Sequence, residues 1–327
     1  MVVQATMALL LAWMFMAGQA WGQVDEEHSE PAAVPEVEVL SPFHQAIREQ
    51  LVAEDETLHA FYAARDWKPA WADNRTVASL AAALHTLEGD GLTPADYRPD
   101  ALVSGYREAY GAYQDPDRLA RFDLQTSRVL LTAMRHLQRG KVDPYRIDTE
   151  WEVPIEAPAL DPVSISRAVD AQRFEQAFAE VRPAYAIYER LRGALARYRH
   201  IQRQGGWPSL PAREDSLRPG DVHDDVALLR ERLAVIGELE VMAADPGAFP
   251  EAELKAPEAD TFDAILAAAV ERFQRRHLLE VDGIVGAQTR EALNVPVERR
   301  IDQIRVNLER ARWLLHGLPE TFVLVDI

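Results

Sequence analysis

Apolar side chains recur at steps of three and four along most of this chain, so its secondary structure reads as helical almost throughout. Ile47, Leu51, Leu58 and Phe61 predict a helical segment that starts at Phe43 and ends around Trp67-Lys68-Pro69. An Ala/Leu-rich helix over Val77 to Leu87 stops at Glu88-Gly89-Asp90-Gly91, where glycine accepts positive φ. Thr93 and Pro94 then supply an N-cap and a preset first helical residue. Leu119, Phe122, Thr126, Val129, Leu130, Ala133 and Leu137 make one stripe of a long helix, capped by Asp117 and ended by Gly140. Trp151 to Pro162 holds three prolines and reads as irregular, whereas Ala171 to Phe178 reads as helical. Tyr185, Tyr188, Leu191, Leu195 and Tyr198 mark a further helix over Ala184 to Gln202.

The stretch from Gly205-Gly206-Trp207-Pro208 to Pro219-Gly220 has no period and is bracketed by breakers. It divides the body into a helical region over residues 43–206, a linker over 207–220 and a second region over 221–294. In the second region Val226, Leu229, Leu233 and Ile236 form one helical face that Gly237 ends. A polar, proline-bearing stretch (Asp245 to Pro257) precedes a helix carrying Phe262, Ile265, Ala269, Val270 and Phe273 and continuing through Gln274-Arg275-Arg276-His277. Val281 to Gly286 then predicts a tight turn permitted by Asp282-Gly283 and Gly286, followed by a short helix over Thr289 to Leu293. Ile284 and Val285 are expected beneath Phe273, with Leu293 closing the core. Three such short helices bury little surface, so this unit is expected to lean on its neighbours. Residues 295–327 read as a connecting helix and one strand, Thr321 to Ile327. The fold class expected is mainly α.

The amino terminus changes the picture of compartment. Met1 to Gly22 has no charged side chain, and its apolar run, Met7 to Ala17, is too short to cross a bilayer comfortably. With Ala20 and Gly22 as small residues for cleavage, residues 1–22 read as a secretory signal, or as an uncleaved inner-membrane anchor. Residues 23–42 are acidic and proline-bearing and read as an extended tether. The expected location is the periplasm.

Charge and composition exclude several function classes. Thirty-five basic against 53 acidic side chains give −18, which argues against sequence-independent nucleic-acid binding. Cysteine is absent, which removes disulfides, thiolate zinc sites, a lipid-anchored cysteine and any cysteine nucleophile. The helix over Ala184 to Gln202 is locally basic, with Arg190, Arg192, Arg197, Arg199 and Arg203 against Glu189. It reads as a solvated face paired with acidic neighbours, with a surface for anionic polymer groups as the alternative.

Val270-Glu271-Arg272-Phe273-Gln274, then Asp282-Gly283-Ile284-Val285-Gly286 and Thr289 to Leu293, resembles the peptidoglycan-binding type 1 domain. Its motif residues here are Phe273, Gly283, Val285, Gly286, Thr289 and Leu293, and the long acidic insert Met242 to Asp260 is a departure. Four further motifs follow in order: Phe61-Tyr62-x-x-Arg65-x-Trp67-x-Pro69-x-Trp71, Asp90-Gly91-Leu92-x-Pro94-x-Asp96-Tyr97, Gly140-Lys141-Val142-Asp143-Pro144 and Gly205-Gly206-Trp207-Pro208. Together they resemble the scaffold domain of the large periplasmic murein L,D-transpeptidases. Asn307-Leu308-Glu309-Arg310-x-Arg312-Trp313 is similar to that family's helix entering its catalytic domain, and Thr321 to Ile327 to that domain's first strand.

The resemblance implies peptidoglycan as partner and a cysteine that attacks a stem peptide. No residue here inherits that role, so no catalytic residue is assigned, and no cofactor or metal ligand is expected. Candidate contacts to the wall polymer are Gln274, Arg276 and Asp282, although turn geometry explains Asp282 and Gly283 equally well. The leading expectation is the non-catalytic amino-terminal region of such an enzyme, cut before its catalytic domain. A stand-alone wall-binding adaptor and a carboxylate-based murein hydrolase are the rivals. Against the hydrolase, Glu88 and Asp90 flank glycines in a turn. His223-Asp224-Asp225 reads as a helix start in preference to a metal site, and Trp67, Trp71, Trp151, Trp207 and Trp313 as packing in preference to sugar platforms.

Overall fold

A computed structural model describes residues 41–318 apart from 52–54, 112, 148–149, 156 and 240–258. The expected export signal, nearly all of the expected tether, most of the acidic insert and the strand expected over 321–327 therefore lie outside the described residues. The protein is mainly α-helical, and among the described residues β-pairing is limited to two isolated antiparallel bridges, Leu217–Val285 and Val222–Thr261.

The first core is built by α1 (Pro42–Gln50), α2 (Glu56–Ala63), α3 (Asn74–Thr86), α4 (Pro99–Ala109), α5 (Pro116–Arg139), α7 (Pro162–Asp170) and α8 (Phe174–Val181), with the single turn α6 (Pro144–Ile147) outside it. Helix α5 is its axis. Ala120, Leu124, Leu130, Leu131, Ala133, Met134 and Leu137 are all buried on it, and α1, α4 and α8 pack against it. The same helix carries a buried carboxylate, Asp123. It accepts hydrogen bonds from the Tyr62 hydroxyl at 2.7 Å and from the amides of Ala70 and Trp71 at 3.1 and 3.0 Å. Burial pushes its carboxyl up to about 6 despite these donors. Ser127 completes the network between the Tyr62 hydroxyl and the Trp71 indole, each at 2.9 Å.

The structure departs from the sequence reading in four places. The segment expected from Phe43 is two helices: α1 ends at Gln50, and Asp55 starts α2 by accepting from the Leu58 amide at 3.2 Å. Helix α5 is capped by Asp115, whose side chain accepts from the Asp117 amide, so the expected cap lies two residues too late. Pro162 opens α7 because proline suits the first helical position, and the Asp161 carboxylate accepts from Val163 and Ser164. The helix expected over Ala171 to Phe178 is broken at Gln172, whose φ is +55°.

Helix α9 (Ala186–Arg203) leaves the first core and pairs with α13 (Val297–Leu314). Tyr188, Leu195, Ile201, Val297, Ile301, Leu308 and Leu315 form a separate cluster between them. Between these two helices in sequence lies a third cluster, on α10 (Asp224–Val235), α11 (Ala264–Arg276) and α12 (Ala287–Leu293).

Candidate binding site

The three-helix unit is organised around one buried amide. Gln274, at 1% exposure, stands near the end of α11 and points into the following turn. Its Nε2 donates to Asp282 Oδ1 at 2.8 Å and to the Ile284 carbonyl at 2.9 Å, with Thr289 Oγ1 at 3.2 Å. Its Oε1 accepts from the amides of Asp282 and Gly283 at 3.2 and 3.0 Å. Glutamine supplies donors and an acceptor in one planar group, which a carboxylate or alkyl chain does not. Asp282 in turn accepts from the Ile284 amide at 2.9 Å, and this bond, with Gln274, holds its carboxyl below the usual carboxylate range. Gly283 requires glycine because its φ is +68°. Gly286 has φ −79° as the N-cap of α12, so its backbone makes no such demand.

Phe273, Val285, Thr289 and Leu293 lie in the core of this unit, and Ile284 is half-buried. Of the candidate contacts, Gln274 is thus interior, while Asp282 is exposed and belongs to the same turn. Arg276 is exposed at the end of α11 and pairs with Glu238 at 2.9 Å. Glu238 is itself buried between Arg276 and Arg272. His223 caps α10 by accepting from the Asp225 amide at 3.0 Å, and Arg213 pairs with Asp225 at 3.2 Å.

The linker ties this unit to the rest. Trp207 packs edge-on against Tyr198 of α9, and the Arg232 guanidinium of α10 lies 3.8 Å from the Trp207 ring centre. Arg232 is 2% exposed and donates to the Leu293 carbonyl at 2.9 Å. Burial pulls its guanidinium down to about 10. A charge held there is stabilised by the indole face and by that carbonyl.

A second clasp joins α13 to the first core. Asp90 is wholly buried, with Arg182 at 2.8 Å, Arg192 at 2.9 Å and the Tyr188 hydroxyl at 3.1 Å around its carboxylate. Arg312, 1% exposed, donates to the Asp90 carbonyl, to the Tyr188 hydroxyl at 3.1 Å and to Glu309 at 2.6 Å. Glu309 accepts from the Val142 amide at 2.7 Å, and Trp313 meets Trp151 edge-on with ring centres 5.5 Å apart. Gly140 lies against this corner with φ +86°, and a Cβ there would meet Trp313 Nε1 at 2.5 Å. The Asp90-Gly91, Gly140-Lys141 and Glu309-Arg310-x-Arg312-Trp313 motifs therefore meet at one junction. No single-sequence signal marks Arg182 or Arg192 as Asp90's partners, because neither stands at a local spacing from it.

The tryptophans are largely engaged in packing: Trp71 is buried and stacks on Phe174, while Trp67 is half-buried between His44 and His59. On α9, Arg192 and Arg199 pair with Asp90 and Glu88, while Arg190, Arg197 and Arg203 are exposed.

Residues 56–195 match the Scaffold domain family, and residues 222–293 match a family described as putative peptidoglycan binding domain. The two in this order fit an L,D-transpeptidase-like architecture. No curated protein matches the chain.

Proposed function

We propose that this protein is a cell-wall-associated binding unit that grips peptidoglycan and presents its stem peptides to L,D-transpeptidase chemistry. The observation that carries the reading is the pairing of a Scaffold domain match with a peptidoglycan-binding domain match in one chain. The clasp at Asp90, Gly140 and Arg312 adds support, because it assembles residues from three of the motifs that resemble that enzyme family. In this reading the chain contributes affinity and position. Its 327 residues contain no cysteine, so the thiolate that attacks the stem belongs to a unit outside them. Holding polymer near that unit raises the effective concentration of stems, which multiplies rate without any new chemical contact. The work is done in the periplasm, the compartment to which residues 1–22 direct the chain.

Two measurements test this. The full chain is expected to co-sediment with insoluble peptidoglycan above the level of a control protein of similar charge, and equal sedimentation would remove the binding role. Disrupting the gene in the source cells is expected to lower the share of L,D-cross-linked muropeptides. An unchanged share with binding intact would favour a wall-binding adaptor with no link to transpeptidation.

A further inference from the structure

The junction between the first core and α13 forms an open surface cavity of about 340 Å³. Its walls are the turn after Gly91, the 3-10 turn Pro94–Tyr97, the Lys141-Val142 corner and one face of α13. That volume lies in the range of small-ligand pockets. The walls are held in place from behind: Glu309 fixes the Val142 amide, and Arg305 Nε donates to the Gly91 carbonyl at 3.0 Å.

Two ion pairs face the opening. Lys141 Nζ lies 2.6 Å from Asp96, and Arg305 Nη1 lies 3.4 Å from Asp302. All four side chains are more than a third exposed, so neither pair contributes much to folding and each can exchange its partner for a ligand charge. Val142 and Val306, 42% and 50% exposed, add two apolar contacts beside them. A ligand that satisfies this wall carries a free carboxylate for Lys141 or Arg305, a free ammonium for Asp96 or Asp302, and a small alkyl group for the valines. Sugars of a glycan strand have no ammonium. A short peptide of small residues with both ionic groups has all three features.

The geometry points to this cavity as a subsite for the peptide stem of the wall polymer, separate from the three-helix unit. The inference rests on the proposed peptidoglycan-binding role and adds which part of the polymer is held here. Binding needs no covalent step. The stem's carboxylate displaces Asp96 or Asp302 from its cation, and its ammonium takes up the released carboxylate.

The test titrates the full chain with a synthetic tetrapeptide stem bearing a free diaminopimelate amine, followed by calorimetry, alongside co-sedimentation with whole peptidoglycan. Val306→Arg fills the opening and is expected to weaken stem binding by tenfold or more. Lys141→Met and Asp302→Asn are each expected to weaken it about fivefold, as is acetylation of the stem amine, since each removes one charge-assisted contact. Thermal midpoints of these exposed-site variants are expected to match the parent. Stem binding within twofold of the parent for all three variants overturns the assignment. A chain that sediments with peptidoglycan yet takes up no stem overturns the subsite and leaves the binding role standing. A chain that does neither overturns both.

Discussion

Replacing Gln274 by alanine separates a residue that holds the turn from one that touches polymer. The amide can make at most four hydrogen bonds at once, two through Nε2 and two through Oε1, and five groups stand within reach. On truncation, Asp282 is exposed and Ile284 half-buried, so both recover water. The Gly283 amide and the Thr289 hydroxyl are buried and do not. Two orphaned groups at ~1–2 kcal/mol each, with ~0.8 kcal/mol for the one buried methylene lost, give about 4 kcal/mol. Hydrogen exchange on the full chain reads this locally. Protection of α11 and α12 amides is expected to fall by roughly a thousandfold, since each 1.4 kcal/mol is a factor of ten, while α5 amides keep theirs. Unchanged protection in α11 and α12 would refute the structural assignment. Lost co-sedimentation with unchanged protection would instead make Gln274 a direct contact.

Asp90→Ala leaves Arg182 and Arg192 facing one another without their carboxylate. Arg192 is 28% exposed and can rehydrate, so the cost falls at the low end for a broken buried pair, ~3 kcal/mol, seen as a thermal midpoint lowered by roughly 6–12 °C. A fall under about 2 °C would show the pair to be dispensable. Gly140→Ala sets a Cβ 2.5 Å from Trp313 Nε1 at positive φ and is expected to lose ~2–4 kcal/mol in denaturant titration, and a loss below about 0.5 kcal/mol would contradict the close approach. Two groups give opposite pH dependences. Asp123, raised by burial from 3.8 to about 6, binds its proton more tightly folded than unfolded, so its contribution of ~3 kcal/mol declines as pH rises from 4 to 6. Asp123→Asn is expected to abolish that slope in chemical denaturation, and a persisting slope would assign it elsewhere. His277 is lowered from 6.5 to about 4 by burial and by Arg300, Arg232 and Arg276, so the unfolded chain binds the proton first. Stability therefore falls as pH drops from 6.5 to 4, and α11 protection in His277→Gln is expected to lose this dependence. A dependence equal to the parent's would refute it.

Much of the fold was legible along the chain because a helix buries a stripe, and a stripe is a local pattern. The faces through Leu130 and Leu137, through Tyr188 and Leu195, and through Val270 and Phe273 each follow from spacing alone. The turn at Asp282-Gly283 was legible too, since glutamine, aspartate and glycine lie within ten residues of one another and their demands are those of a single loop. Helix ends were read less well. A proline such as Pro162 starts a helix or breaks one according to whether the preceding residue caps it, and periodicity does not report that.

Tertiary packing alone decided the polar interior. Asp90 and Arg312 are 222 residues apart, and nothing near either residue announces the other. A buried charge is tolerated only where partners from distant segments replace its water, so its location is fixed after the apolar faces have docked. The cavity beside Lys141 and Arg305 arises in the same way, from α13 returning across the first core. Helix content is set residue by residue, whereas a pocket is what remains between elements once they have packed.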